Sequence, residues 1–311
     1  MPRHNERQLY DRHWADMLKS WWQWTLAIAL LALIVAGSVW LFRPREASVP
    51  TTPLLVGDRR VDHLKMGNPS NAGVDSNNYL LSSSESVDQP RPYVTSYNRS
   101  KNIPNWSSWQ LNKSWLGNSP RRNDFRPDPT LPKGWYQVRS NDYNNSGFDR
   151  GHLTPAADRD ITPQNISATF LLTNIVPQAP DNNQGPWAKL ENYSRGLAEQ
   201  GKELHIIAGG YGNTRSIGKG NVKIAVPDRV WKVIVVMNKP GLTANDVNAN
   251  TRVIAVDMPN QQGIKETDWR KYRVSIDLIE ERTGYNFLTN VPDATQVQIE
   301  EKVDKVIERV K

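Results

Sequence analysis

His152, Asn183, Glu191 and Arg195 are the residues whose types and spacing could carry chemistry. His152 closes the run Asp149-Arg150-Gly151-His152, and Asn183, Trp187, Glu191 and Arg195 follow further along at four-residue steps. A helix beginning near Asn183 sets that series on one face, so that an amide oxygen, a carboxylate and a guanidinium project together. A hairpin carrying His152, followed by that helix, brings a base within reach of a metal held by Asn183. Neutral imidazole can take a proton from water, and at its ordinary pKa near 6.5 about three quarters of it is neutral at pH 7. A hard cation such as Mg2+ favours oxygen ligands and needs few from the protein when a phosphate supplies the rest. Asn183 Oδ1 suits direct coordination, Glu191 suits hydrogen bonds from waters on the ion, and Arg150 and Arg195 could set positive charge at phosphate oxygens. The chemistry open to such a set is hydrolysis of a phosphodiester, with the ion as Lewis acid. Taken singly, each residue has a plainer reading: Glu191 and Arg195 as a solvated helix pair, Asn183 as a helix cap, His152 as a turn histidine. The joint pattern is what carries weight.

Other chemistries drop out. The 311 residues include no Cys, which excludes disulfides, thiolate metal sites and cysteine nucleophiles. Gly209-Gly210-Tyr211-Gly212 follows an apolar run but lacks the third glycine of a dinucleotide loop, since Arg215 stands there, and it reads as a flexible turn. There is neither a G-x-S-x-G elbow nor an H-E-x-x-H pair. Of the five His, His205 alternates with apolar neighbours and reads as structural, while His4, His13 and His63 have no companions.

The elements that must position the site read as a mixed set. Strand-like runs cover Tyr93–Asn98, Ser107–Leu111, Glu203–Ala208, Lys232–Met237 and Arg252–Met258. Helical stretches cover Gly185–Gln200, with Pro186 in the first turn, Ser275–Arg282, ending at Gly284, and Ala294–Lys311, with Ile299, Val303, Val306 and Val310 on one face. This pattern predicts a single α+β domain over residues 63–311. Ahead of it, residues 1–20 form a short polar tail and residues 43–62, with three Pro, read as a linker. Between them Trp21–Phe42 holds no charged residue and carries Trp at both ends. As a helix it would span about 33 Å against a hydrocarbon core of roughly 30 Å, so it reads as one transmembrane anchor. Secretion after cleavage near Ala36-Gly37-Ser38 is the alternative. Lys and Arg balance on the two sides of the span, so charge does not orient it. The formal charge is +7, of which +6 lies beyond residue 42, and the mean hydropathy of -0.64 averages an apolar span with a polar, basic domain. A positive excess suits a polyanionic partner and equally suits plain solubility.

Asp149–His152 resembles the D-R-G-H signature of the DNA/RNA non-specific endonucleases, a branch of the ββα-metal, or His-Me finger, nucleases. Thr173-Asn174-Ile175-Val176-Pro177-Gln178, the Asn183–Glu191–Arg195 spacing, Asn123–Asp128 and Asn250–Val256 resemble that family too. The resemblance implies a central antiparallel sheet flanked by helices, with the finger on one face. It also implies His152 as general base, Asn183 as the sole direct metal ligand and Glu191 as the residue reaching the ion through water. Arg150 and Arg195 fall at the family's arginine positions, Arg121 at a phosphate-contacting arginine with Arg122 as its neighbouring competitor, and Asn174 at a supporting asparagine. Relatives cleave single- and double-stranded DNA and RNA with Mg2+ or Mn2+ and leave 5′-phosphate ends. Contact with phosphate, shared by all nucleic acids, accounts for weak sequence preference. The expectation is a tethered nuclease facing outside the cytoplasm, where it spares its own cell's nucleic acid. A nucleic-acid binding or uptake component with incidental cleavage, and a cytoplasm-facing nuclease held by an inhibitor protein, are the alternatives.

Overall fold

Long apolar strands alternating by twos build one antiparallel sheet in the computed structural model, which describes residues 62–81 and 92–307 within the unit Arg59–Lys311. Its spatial order begins with β1 (Tyr79–Leu81), β2 (Val94–Asn98), β3 (Ile103–Leu111) and β6 (Glu203–Tyr211). It continues with β9 (Arg229–Met237), β10 (Arg252–Pro259) and β11 (Arg273–Val274). Two smaller ribbons stand apart: β4 (Asp149–His152) with β5 (Ile175–Gln178), and β7 (Arg215–Ile217) with β8 (Ile224–Val226). The helices are α1 (Pro163–Ala168), α2 (Pro180–Asn182), α3 (Ala188–Glu199), α4 (Ile276–Thr283) and α5 (Asp293–Glu300). The α+β class with a large antiparallel sheet is as expected.

Strand alternation divides the core between the two sides of the sheet. Ile206, Ala208, Ile234, Val236, Ile254 and Val256 pack with α3 through Leu190 and Leu197, and with β5 through Ile175 and Val176. The residues between them, including Trp231, Val233, Val235, Val253 and Ala255, pack with α4 and α5 through Ile276, Ile279 and Ile299. Trp106 and Trp231 are fully buried. Removing about 150–250 Å² of each indole from water contributes about 4–6 kcal/mol before the entropy of ordering it.

Helix α4 follows its sequence signals: Ser275 accepts from the Leu278 N–H, and Gly284 closes the helix in the left-handed region at φ 72°. Four other expectations need correcting. Strand β3 starts at Ile103, four residues early, because Pro104 sits opposite Tyr97 at a register shift that tolerates a missing N–H. Strand β6 runs on through Gly209 and Gly210, read from sequence as a flexible turn, and pairs them with Trp231 and Val230. The C-terminal helix stops at Glu300: Asp304 is taken by Arg252, in two bonds of 3.0 Å, and by Arg273 at 3.4 Å, which draws the chain off the helical path. Val303 and Val306 are consequently 41% and 39% exposed. The helix near Asn183 is irregular, as set out below. No helix among the described residues is long and apolar enough to cross a membrane, and the expected span Trp21–Phe42 lies outside the described residues.

Candidate active site

The β4–β5 ribbon sets His152 opposite Ile175 and Asp149 opposite Gln178. Gly151 is required by a close approach, since a Cβ there would lie 2.6 Å from the Gln178 Cβ. The ribbon is held to the sheet by Asn174, which is fully buried. Its Oδ1 accepts from the Thr154 N–H at 3.0 Å and the Ser107 hydroxyl at 3.1 Å, and its Nδ2 donates to the Thr154 and Thr169 carbonyls at 2.9 and 3.0 Å. All four bonding positions of the amide are used, so Asn174 supports the site from beneath.

His152 is 9% exposed and its Nε2 has no hydrogen-bond partner. Its ring meets Phe170 edge-on at 4.8 Å and Phe125 at 5.3 Å. Burial, seconded by the positive charge of Arg121, pushes the imidazole down to about 3, well below the 6.5 assumed from sequence. The ring is therefore neutral across the physiological range. Two of the three expected arginines stand on rings that touch it: the Arg121 guanidinium lies 5.6 Å from the Phe170 centroid and the Arg150 guanidinium 4.7 Å from that of Phe125. Arg150 also donates to the Ser140 hydroxyl at 2.6 Å. Among the described residues neither guanidinium is within 4 Å of a carboxylate on another side chain, and Arg122 makes no ring contact of this kind.

The chain enters the site helix earlier than its Pro186 suggests. Helix α2 starts at Pro180, a wide π turn follows over Asn183–Trp187, and regular α3 begins at Ala188. Gly185 takes non-helical angles there, with the Lys265 backbone 2.6 Å from where its Cβ would stand. Asn183 thus sits on the widened turn and does not share an ideal four-residue face with Glu191. Its Nδ2 donates to Asp149 Oδ2 at 2.9 Å. A carboxylate only accepts, so this bond fixes the amide orientation and leaves Oδ1 as the end available to a cation.

The solvated Glu191–Arg195 helix pair of the plainer reading is absent from the ion pairs of the described residues. Arg195 instead binds Asp158 at 2.8 Å and also donates to Asn192. Glu191 has Lys232 Nζ at 3.8 Å. Burial pushes Glu191 above the usual carboxylate range, opposed by the charges of Lys232 and Arg195, and it pushes Lys232 down, opposed by Glu191 and Asp158. Arg121 acts on Glu191 as well as on His152. Trp187 ties helix to ribbon, its Nε1 donating to the His152 carbonyl at 3.3 Å.

The structure thus brings His152, Arg121, Arg150, Asn183, Glu191 and Arg195 around one region and sets Asn174 below it. Sequence reasoning missed Asp149 as the partner of Asn183, Asp158 as the partner of Arg195, and Lys232. A lone lysine in the apolar run Val230–Met237 was the available signal for the last. The donors fit a hard cation that takes few protein ligands. Among the described residues the one cluster of three acidic ligands, Asp277, Glu280 and Glu300, lies elsewhere, on α4 and α5.

A family model described as DNA/RNA non-specific endonuclease matches residues 70–294. The chain is 47% identical over 279 residues to a protein named Nuclease from Nostoc sp. (strain PCC 7120), spanning 89% of this chain and 96% of that one. It is 28% identical over 221 residues to the human mitochondrial nuclease EXOG, spanning 66% of this chain and 58% of that relative. Among solved structures, EndoG in its complex with EndoGI superimposes with a TM-score of 0.60 at 25% identity, over 75% of this chain and 92% of that one. A match over most of the chain, joined to that site, makes this chain a nuclease that belongs to the DNA/RNA non-specific endonuclease family.

Proposed function

We propose that this nuclease hydrolyses phosphodiester bonds of DNA and RNA, single- and double-stranded, to 5′-phosphate ends, with His152 as general base and one Mg2+ or Mn2+ on Asn183. The observation that carries the reading is the neutral, buried His152, its Nε2 unpartnered, beside two rings that bear Arg121 and Arg150. Arg121 and Arg150 bind phosphate oxygens and orient phosphorus toward a water at the His152 imidazole. As the water oxygen forms its bond to phosphorus, the His152 imidazole takes the proton and the bond to the 3′-oxygen breaks. An imidazole held near 3 is a weak base, and an anionic phosphate in the site offsets the Arg121 part of that shift, the smaller part beside burial. Asn183 holds the ion directly and Glu191 through water, and the ion, when bound, supplies Lewis-acid stabilisation at the phosphate and the leaving oxygen. Reading by phosphate contacts alone gives weak sequence preference and salt-sensitive binding.

The test is cleavage of plasmid DNA and of structured RNA by the full chain, with and without EDTA, beside His152→Ala and with the new ends mapped. Loss of cleavage in both arms and 5′-phosphate ends are expected. Cleavage that survives both would sink the mechanism. The uptake-component alternative is not favoured, because the relatives are themselves named as nucleases.

The reading extends to placement outside the cytoplasm on an anchor at residues 21–42, motivated by the apolar run between charged flanks and the hazard of a free nuclease. Protease digestion of the C-terminal domain in intact cells or spheroplasts is expected. Protection would overturn the topology and direct the search to an inhibitor protein, the class of partner that EndoGI represents for EndoG.

A further inference from the structure

Lys232 occupies a position where a charge is costly. It is 1% exposed, in the middle of β9, with apolar residues on both sides along the strand. Its nitrogen lies 4.0 Å from the Trp187 ring centroid and 5.5 Å from that of Trp109, and 3.8 Å from Glu191 Oε1. Glu191 has no other cation within ion-pair distance among the described residues, because Arg195, its neighbour one helical turn on, is committed to Asp158 and Asn192. Asp158 is in turn bound by the Trp109 Nε1 at 2.9 Å. Trp187, whose face carries the ammonium, is also the residue whose indole N–H reaches the His152 carbonyl. The lysine therefore sits where sheet, helix α3 and the β4–β5 ribbon meet.

We propose that Lys232 is a positioning residue: its ammonium, seated on Trp187, fixes the Glu191 carboxylate relative to Asn183 across the π turn and so sets how well the pair receives a divalent cation. The inference rests on the proposed role of Glu191. The π turn gives it a reason, since the widened backbone between Asn183 and Glu191 does not itself enforce their relative placement as a regular helix would. Groups that orient ligands from behind typically change metal affinity or activity by about 10–100-fold when removed. Two cation–π contacts and a carboxylate define the seat of the ammonium, which gives its charge a fixed direction.

The test compares the full chain with K232M, E191Q and the double variant K232M/E191Q, reading Mn2+ binding by calorimetry, melting temperature, and kcat and KM on DNA at saturating Mn2+. K232M is expected to weaken Mn2+ binding by about tenfold and to lower kcat by about 10–100-fold, with KM moving less. Because the lysine acts through Glu191, the double variant should bind Mn2+ no worse than E191Q. It should also melt above E191Q, in which the buried ammonium has lost its carboxylate. Wild-type Mn2+ affinity and kcat in K232M, or losses that add in the double variant, overturn the proposal while leaving the hydrolytic reading in place. Wild-type behaviour of E191Q instead overturns the role of Glu191 itself, and the inference with it. If K232M alone does not fold, the double variant carries the comparison, since it leaves neither charge buried alone.

Discussion

The two faces of the central sheet come from the same strands and bury different things. Toward α4 and α5, β9 presents Trp231, Val233, Val235 and Met237 in an apolar layer. One residue along, toward α3, it presents Lys232 among Glu191, Arg195 and Asp158. The far face has charges as well: Asp257 is buried there but its partners Arg229 and Arg282 keep 34% and 38% of their side chains exposed, and Glu203 is buried beside His205 at 3.5 Å. On the site face Lys232 and Asp158 are each 1% exposed. Buried ion pairs seldom stabilise more than apolar side chains of equal volume, and breaking one is costly. The difference teaches that alternation along a strand lets one sheet keep its stability on one side and its chemistry on the other.

That division can be broken most directly at His152. His152→Ala is expected to lower kcat by about 10²–10⁴-fold with the cooperative unfolding transition retained, measured by nuclease assay and urea denaturation. A kcat within a few-fold of wild type would remove the base from the site face. On the far side, Ile279→Ala should cost about 2–5 kcal/mol of stability by urea unfolding and leave kcat of the folded protein nearly unchanged. A large kcat loss there would mean that the faces are not separable.

A third measurement uses protons. The folded imidazole of His152 is held near 3 against about 6.5 in the unfolded chain, so between those values the unfolded state binds more protons. Its contribution is fully present above about pH 6.5 and is lost as pH falls toward 3, on the order of a few kcal/mol. His152→Phe should flatten that part of the stability curve, and an unchanged slope would show that the ring titrates normally in the fold. The smallest effect belongs to Arg121→Met: KM for DNA should rise about three- to tenfold and the salt dependence of binding should lose about one unit of slope. By NMR the His152 ring should titrate at higher pH in that variant, because a neighbouring positive charge has gone. An unmoved salt slope would direct attention to Arg122.

What could be read from the sequence follows what leaves a local trace. The strands at Glu203, Lys232 and Arg252 were legible as short, nearly continuous apolar runs rich in Val and Ile, and α4 from Ser275 and Gly284. The candidate site residues stood out because Asp149–His152 and Asn183–Arg195 each lie in one short stretch. The misses are long-range polar partners, which leave no periodicity. Asp149 meets Asn183 34 residues away, and Asp304 meets Arg252 52 residues away, where it overrides an apolar helical pattern. Pro186 read as a helix start since proline suits a first turn, yet Pro180 had already begun the helical path and Gly185 broke it in between. For Lys232 the strand pattern gave a position and could not give a partner.

The clamp on Arg252 bears on the order in which this protein matures during synthesis. Besides Asp304, Arg252 binds the Tyr193 hydroxyl at 2.8 Å, and Tyr193 belongs to the same helix as Glu191 and Arg195. Every residue assigned to the site has left the ribosome well before Asp304 does. A nascent chain therefore holds all its hydrolytic groups while the helix that carries two of them still lacks its rear brace, and the late arrival of one aspartate completes the support of that helix.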